Sequence, residues 1–253
     1  CHATQRAEPP VVEKTAGDVA IPGVELQKGI TVGAPKRFGN LSVFPVYAKS
    51  PAATGELTTL EAALEKGHAE VREVGEDESQ AQVNTLQIEN RGDKPIMVLA
   101  GTVVTGGKQD RQIAQDFVVE PGERTDVEAF CVERDRWEGT RDGKATGGKF
   151  TTLKSLANDE VRLAGQFEKD QRKVWSKVDK VNKANAKKAE TATLAASLAD
   201  PEIAAERKQL TEQVTAYLAE QRPSEHLVGF AYAIGDEVRT VRWFMNNQVF
   251  TMH

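Results

Sequence analysis

Two residue periods divide this chain. Between about Gly29 and Trp137 the apolar residues fall in short alternating runs, broken by glycine, proline and asparagine, as strands and tight turns require. The stretch "GITVGAPKRFGNLSVFPVYAKSP" predicts one or two strands, with Leu41, Val43 and Val46 near their core. In "LTTLEAALEKGHAEVREVG", Thr59 is placed to cap a helix whose Leu60, Ala63 and Leu64 share a face. Gly67 stops that helix before a strand over Ala69 to Val74. His68, just past the cap, is expected to meet the last helix carbonyls.

The alternation continues through "VNTLQIENRGDKPIMVLAG". Leu86 and Ile88 face one way, Asn90 to Lys94 turn, and the nearly unbroken apolar run Ile96 to Ala100 reads as a central, buried strand. "DFVVEPGERTDVEAFCVERDRW" repeats the pattern. A strand through Phe117 to Val119 and a Pro121-Gly122 turn precede a strand in which Val127, Ala129 and Cys131 share a face.

From about Leu153 to Arg222 the period lengthens. Leu156, Leu163, Phe167, Val174, Val178 and Val181 recur at helical spacing and predict a long amphipathic helix. A second helix starts at Asp200 as N-cap with Pro201 in its first turn, carries Ile203, Leu210, Val214, Tyr217 and Leu218, and ends at Arg222-Pro223. Alternation then returns in "HLVGFAYAIGDEVRTVRWFMNNQVFTMH", a hairpin about Gly235-Asp236. The expected class is α+β: a β-rich domain with an inserted pair of long amphipathic helices at about 153–222 and a C-terminal β-hairpin. A division into two domains near Phe150 would leave the hairpin to pack on helices alone.

Composition narrows the partners. The 253 residues carry a net charge of −5, which gives no global attraction to nucleic acid or anionic lipid. No run reaches the roughly 18 apolar residues of a membrane helix. The Lys-rich stretch Lys177 to Lys188 is interleaved with Asp179 and reads as a solvated helix face, so nucleic acid is not expected as a partner. Two cysteines and four scattered histidines offer neither a disulfide framework nor a metal site, and no cofactor is expected. Cys1 followed by "HATQRAEPPVVEKTAGD" has the look of a lipidated cysteine with a polar tether to about Val24, leaving residues 25–253 as one domain. That reading places the protein at the bacterial cell envelope, with the membrane met only through the anchor; otherwise it is cytoplasmic.

Candidate chemistry gathers in two places. "GKATGGKF" has P-loop spacing, but Phe150 replaces the required hydroxyl and no apolar strand leads in, so a nucleotide loop is not expected there. Cys131 falls on the buried alternation, where a thiol behaves as a small hydrophobe. "TGGKQDRQ" reads as a glycine-hinged turn or bulge that presents Lys108 and Arg111 toward the segment Glu133 to Trp137. Pairing of Lys108 and Arg111 with Glu133 is expected, leaving a spare cation that, with Arg136, frames an anion-sized space beside Trp137.

"LTTLEAALEKGHAEVREVG", "LQIENRGDKPIMVLAGTVVTGGKQDR" and "CVERDRW", in that order, resemble the bacterial ADP-ribosylglycohydrolase- and rhodanese-phosphatase-associated protein domain. The resemblance is clear over roughly Gly29 to Trp137. It implies a polar signature on Lys108, Gln109, Arg111, Glu133, Arg136 and Trp137, and a role near nucleotide-derived ligands. The chain departs from the family where an acidic pair often follows the motif glycine: here Thr102-Val103 follow Gly101. Three readings follow. One is a cell-envelope binding or structural module with this polar cluster, taking an anionic small molecule. The second is a hydrolase of an ADP-ribose-like or phosphorylated molecule, with Lys108, Arg111 and Arg136 clamping the anion and Glu133 as general base. The third is an interaction subunit docking a protein through helices 153–222.

Overall fold

Extended segments dominate the computed structural model, which describes residues 22–75, 84–141, 143–187 and 191–253. Cys1 and the expected tether up to residue 21 lie outside the described residues, whereas Val24 already belongs to a strand. In chain order, β1 (Val24–Gln27), β2 (Ile30–Val32), β3 (Lys36–Phe38) and β4 (Leu41–Ala48) lead through β5 (Thr58–Thr59) to α1 (Leu60–Glu65) and β6 (Ala69–Glu73). Next come β7 (Thr85–Asn90), β8 (Ile96–Val98), β9 (Thr102–Gly106), β10 (Arg111–Ile113), β11 (Phe117–Val119) and β12 (Arg124–Cys131). The short strand β13 (Glu133–Arg134), a small hairpin of β14 (Thr140–Arg141) and β15 (Lys144–Ala145), and β16 (Phe150–Leu156) precede α2 (Asp159–Gln166) and α3 (Gln171–Ala184). The chain then forms β17 (Ala192–Thr193), α4 (Ala195–Leu198), α5 (Pro201–Ala219), β18 (Leu227–Ile234), β19 (Glu237–Trp243) and α6 (Asn247–Met252).

Two six-stranded sheets carry the fold. In the first, β1-β2-β4-β18-β19 run in that order with β3 added to β4; in the second the order is β16-β9-β10-β12-β7-β6. A small third sheet sets β8 between β11 and β5. The returning hairpin therefore finds a strand partner: Leu227 to Ile234 pair along β4 as well as with β19. That satisfies the backbone groups of β18 on both edges. Apolar alternation decides which faces are covered. Leu86 and Ile88 of β7 and Val127 and Ala129 of β12 are buried in one core with Val71, Ile96 and Val104. Phe130 and Val132 point the other way and are also buried, under α2 and α3.

The first helix forms as its sequence predicts. Thr59 accepts a hydrogen bond from Ala62 N, and Gly67 takes φ 70° at the C-terminal turn. His68 meets the helix through its backbone, its N–H donating to Ala63 O at 2.8 Å.

The expected long helix after Leu153 is replaced by three elements. Phe150–Leu156 is a strand pairing β9, Asn158 caps α2, and α2 ends at Phe167 before Asp170 caps α3. Three physical signals outweigh the helical spacing: two β-branched threonines beside an unpaired strand edge, a capping asparagine, and a reversal through Lys169 at φ 49°. Phe167, expected on the buried stripe, is 68% exposed. The second long helix, α5, does start at Asp200, whose carboxylate accepts from Glu202 N and Ile203 N. Of its expected stripe only Tyr217 and Leu218 are buried. Its exposed length is polar and presents no continuous apolar strip. The final residues form α6 rather than extending the hairpin. No helix among the described residues is long and apolar enough to cross a membrane.

A backbone constraint fixes where β9 ends. Gly106 has φ 135°, and a Cβ there would stand 2.2 Å from Lys149 O, just before the neighbouring strand β16. Gly106→Ala should therefore lower stability by about 1–3 kcal/mol, the cost of a non-glycine residue in such a conformation. At Gly122, also at positive φ, a Cβ would meet nothing within 4 Å, so Gly122→Ala should cost less. Urea midpoints of the two variants check the order.

Candidate functional site

The turn "GGKQD" joins β9 to β10, and its geometry begins with the two glycines. A Cβ on Gly107, at φ 45°, would fall 2.2 Å from the Phe150 ring. Only a bare backbone fits against β16 here. The turn delivers five successive polar side chains, Lys108 to Gln112, all of them buried. Arg111 stands opposite Cys131 across the β10–β12 ladder.

Burial of charge demands partners, and one guanidinium supplies most of them. Arg136 grips Glu133 with two parallel bonds, Nε to Oε1 at 2.9 Å and Nη2 to Oε2 at 2.7 Å. It also donates to Gly107 O at 2.8 Å, Gly106 O at 3.1 Å, Glu138 O at 3.1 Å and Thr140 O at 3.4 Å. The Glu133 carboxylate completes its set with Asp110 N at 2.9 Å and the Thr191 hydroxyl. Each of its oxygens thus accepts twice, leaving no lone pair for a substrate proton. Asp110, fully buried, accepts from Arg141, Gly106 N, Arg136 and, at 2.7 Å, from Thr193 Oγ1. Its backbone carbonyl accepts from Val132 N at 2.9 Å.

These two carboxyls titrate in opposite directions. Burial would push Glu133 up, but the hydrogen bonds from Arg136, Thr191 and Asp110 N outweigh it and hold the group below the usual range. Asp110 is pushed up, first by burial and then by the Glu133 charge, against the pull of Arg141. Burial also raises the Cys131 thiol despite the nearby Arg111 charge. Gln171 pins the backbone of that cysteine at both N and O, at 2.8 and 2.7 Å.

A second group lies on the solvent side. Trp137 is 45% exposed, and its ring has Lys108 Nζ at 5.3 Å and Arg111 Cζ at 5.5 Å from the centroid. Arg111 also donates from Nη1 to Gln109 O at 2.8 Å and lies 4.0 Å from Glu73 Oε1. Lys108 differs. It is only 7% exposed, and among the described residues no carboxylate or carbonyl lies within hydrogen-bonding reach of its ammonium; Glu73 is bound by its backbone N–H at 2.9 Å.

All six signature residues, Lys108, Gln109, Arg111, Glu133, Arg136 and Trp137, are thus gathered at one turn. Their pairing differs from the expected one. Glu133 is neutralised by Arg136 three residues on, not by Lys108 or Arg111, because the short span lets the guanidinium lie flat against the carboxylate. Arg136 therefore has no spare donors for an anion. Val103, the second of the two residues that follow Gly101, is buried in the core under α2. Sequence reading missed Asp110, Arg141, Thr191 and Thr193. Asp110 sits inside "KQDR" and was legible there; the threonines arrive only because β17 pairs β13. No group of three or more His, Cys, Asp or Glu side chains among the described residues could hold a metal ion.

The sequence model of the ARG and Rhodanese-Phosphatase-superfamily-associated Protein domain matches residues 29–253, and the chain belongs to this family. No curated protein and no solved structure matches it.

Removing the Glu133 charge would leave Arg136 buried without its main counter-ion. Glu133→Gln should cost about 3–5 kcal/mol, read as a lowered melting temperature. The pH dependence has a definite sign. A carboxyl held low in the folded state contributes stability that is present above its unfolded value, about 4.3, and is lost as pH falls through the folded value. Asp110, pushed up, acts in the opposite direction and partly offsets that loss. Urea midpoints from about pH 3 to 7 should fall on the acid side in the native protein, and fall less steeply in Glu133→Gln.

Proposed function

We propose that this family member is a binding module for a small anionic molecule, with Lys108 and Trp137 as its contact residues and the Glu133–Arg136–Asp110 network as the rigid floor beneath them. The observation that carries this reading is the Lys108 ammonium. Lys108 Nζ stands 5.3 Å from the centroid of the exposed Trp137 ring, and among the described residues no carboxylate is in reach to neutralise it. An anion arriving beside Trp137 would do so, and the exposed indole offers a flat surface for a base or other ring. Nucleotide-derived molecules such as ADP-ribose combine both features.

The network suits a floor better than a reaction centre. A general base needs an oxygen that can reach the substrate proton, and both Glu133 oxygens are fully engaged. This favours binding over the hydrolase reading.

Titration with ADP-ribose, ADP and inorganic phosphate, followed by Trp137 fluorescence and melting temperature, tests the reading. ADP-ribose or ADP should quench the indole and raise the melting temperature. Lys108→Met keeps the apolar stem and should weaken binding by about 10- to 100-fold, the worth of a charge-assisted hydrogen bond, with little change in unliganded stability. If none of the three anions shifts the melting temperature of the unmutated protein, the reading falls.

A further inference from the structure

Toward the other end of β9 from the Lys108 turn, a cavity of about 300 Å³ opens where the two six-stranded sheets approach each other, between the first turn of α2 and the β18–β19 hairpin. Strand register explains its lining. Phe230 stands opposite Arg242 and Tyr232 opposite Thr240, so these four share the face of the hairpin turned toward α2. Ala231 and Ala233, one residue out of phase, lie on the other face and are buried. Leu99 and Leu156 come from the other sheet's side and Phe250 from α6, giving the cavity an apolar body.

Its polar end holds two guanidiniums in different states. Arg162 is committed: Nη1 donates to Gln166 Oε1 at 2.8 Å, and Nη2 to Asp159 Oδ1 and Thr240 Oγ1, both at 3.3 Å. Tyr232 donates to the other oxygen of that aspartate. Arg242 is not. Its Cζ lies 5.4 Å from the centroid of the Phe244 ring and Nη2 donates to Asp116 at 2.9 Å, but among the described residues Nε and Nη1 have no partner. Burial weighs against the Arg242 cation, the Asp116 charge counters it in part, and the like charge of Arg162 adds to the burial. An arginine with its Nη1 open, at the end of an apolar chamber, fits a carboxylate on an apolar body.

We propose that this cavity is a second ligand site, for an organic acid whose aryl or alkyl body lies among Leu99, Phe230 and Phe250 and whose carboxylate is bound by Nη1 of Arg242. It shares no residue with the Lys108–Trp137 site and does not depend on it.

Calorimetric titration of the whole chain with 2-naphthoate and with decanoate tests the proposal, with 2-naphthalenemethanol as the neutral control. At least one acid should bind and raise the melting temperature, and the tighter of the two identifies the body as aryl or alkyl. Arg242→Met, which keeps the stem against Phe244, should weaken that acid at least tenfold. Leu156→Trp, filling the chamber from β16, should abolish binding without touching a charge, and it decides the matter if the arginine variant fails to fold. Lys108→Met should bind the acid as the native chain does. The proposal is overturned if neither acid binds, if the neutral alcohol binds as tightly as 2-naphthoate, or if binding survives both Arg242→Met and Leu156→Trp.

Discussion

One guanidinium, that of Arg136, holds the end of the β9 strand in place. Its five donors reach two carboxylates and four backbone carbonyls, two of the carbonyls on Gly106 and Gly107. Those glycines have no side chains with which to brace a turn, and their positive φ values leave the backbone intrinsically free to move. The arginine removes that freedom by holding their carbonyls directly. Lys108 and Arg111 are therefore presented by a rigid turn, although its sequence is that of a loose one.

The network accounts for its own burial. A lone carboxylate with 2% exposure would be driven to protonate, yet Glu133 is held ionised by four donors. Asp110 shows the limit of the same arrangement: placed beside an ionised neighbour, it is displaced upward even with Arg141 in contact. Such a cluster is sensitive to the loss of any one charge, since each member neutralises another. It also separates roles that the sequence leaves merged. Glu133 and Arg136 face inward, whereas Lys108 and Trp137 remain for the surface.

The two sheets meet through side chains from α2. Arg162 packs beneath Gly101, where a Cβ would stand 2.9 Å from its Cδ, and donates across to Thr240 of the hairpin. Tyr232 and Asp159 make a second bond across the same seam. Burial and the acidic partner keep the tyrosine hydroxyl protonated, so it stays a donor. Polar links at this seam, in place of close apolar packing, leave room for a chamber between the sheets.

The sequence by itself determined the local elements whose signals are complete within a few residues. These include α1 with its Thr59 cap and Gly67 stop, the Asp200 start of α5, the alternation of β7 and β12, and the hairpin about Gly235. It also carried the family motifs and the six signature residues, because those are properties of residue order. Apolar spacing misled between Leu153 and Val181, where a strand and two helices happen to keep a helical interval; the unpaired edge of β9, beside the β-branched Thr151 and Thr152, makes Phe150–Leu156 extended. Which acid each arginine meets was likewise settled by tertiary structure. The choice of Arg136 for Glu133, and the arrival of Thr191 and Thr193 from far along the chain, depend on β13 pairing β17, a contact that no local pattern encodes. The chamber at Arg242 depends on two sheets whose strands are separated by most of the chain, so its lining has no signature in the sequence.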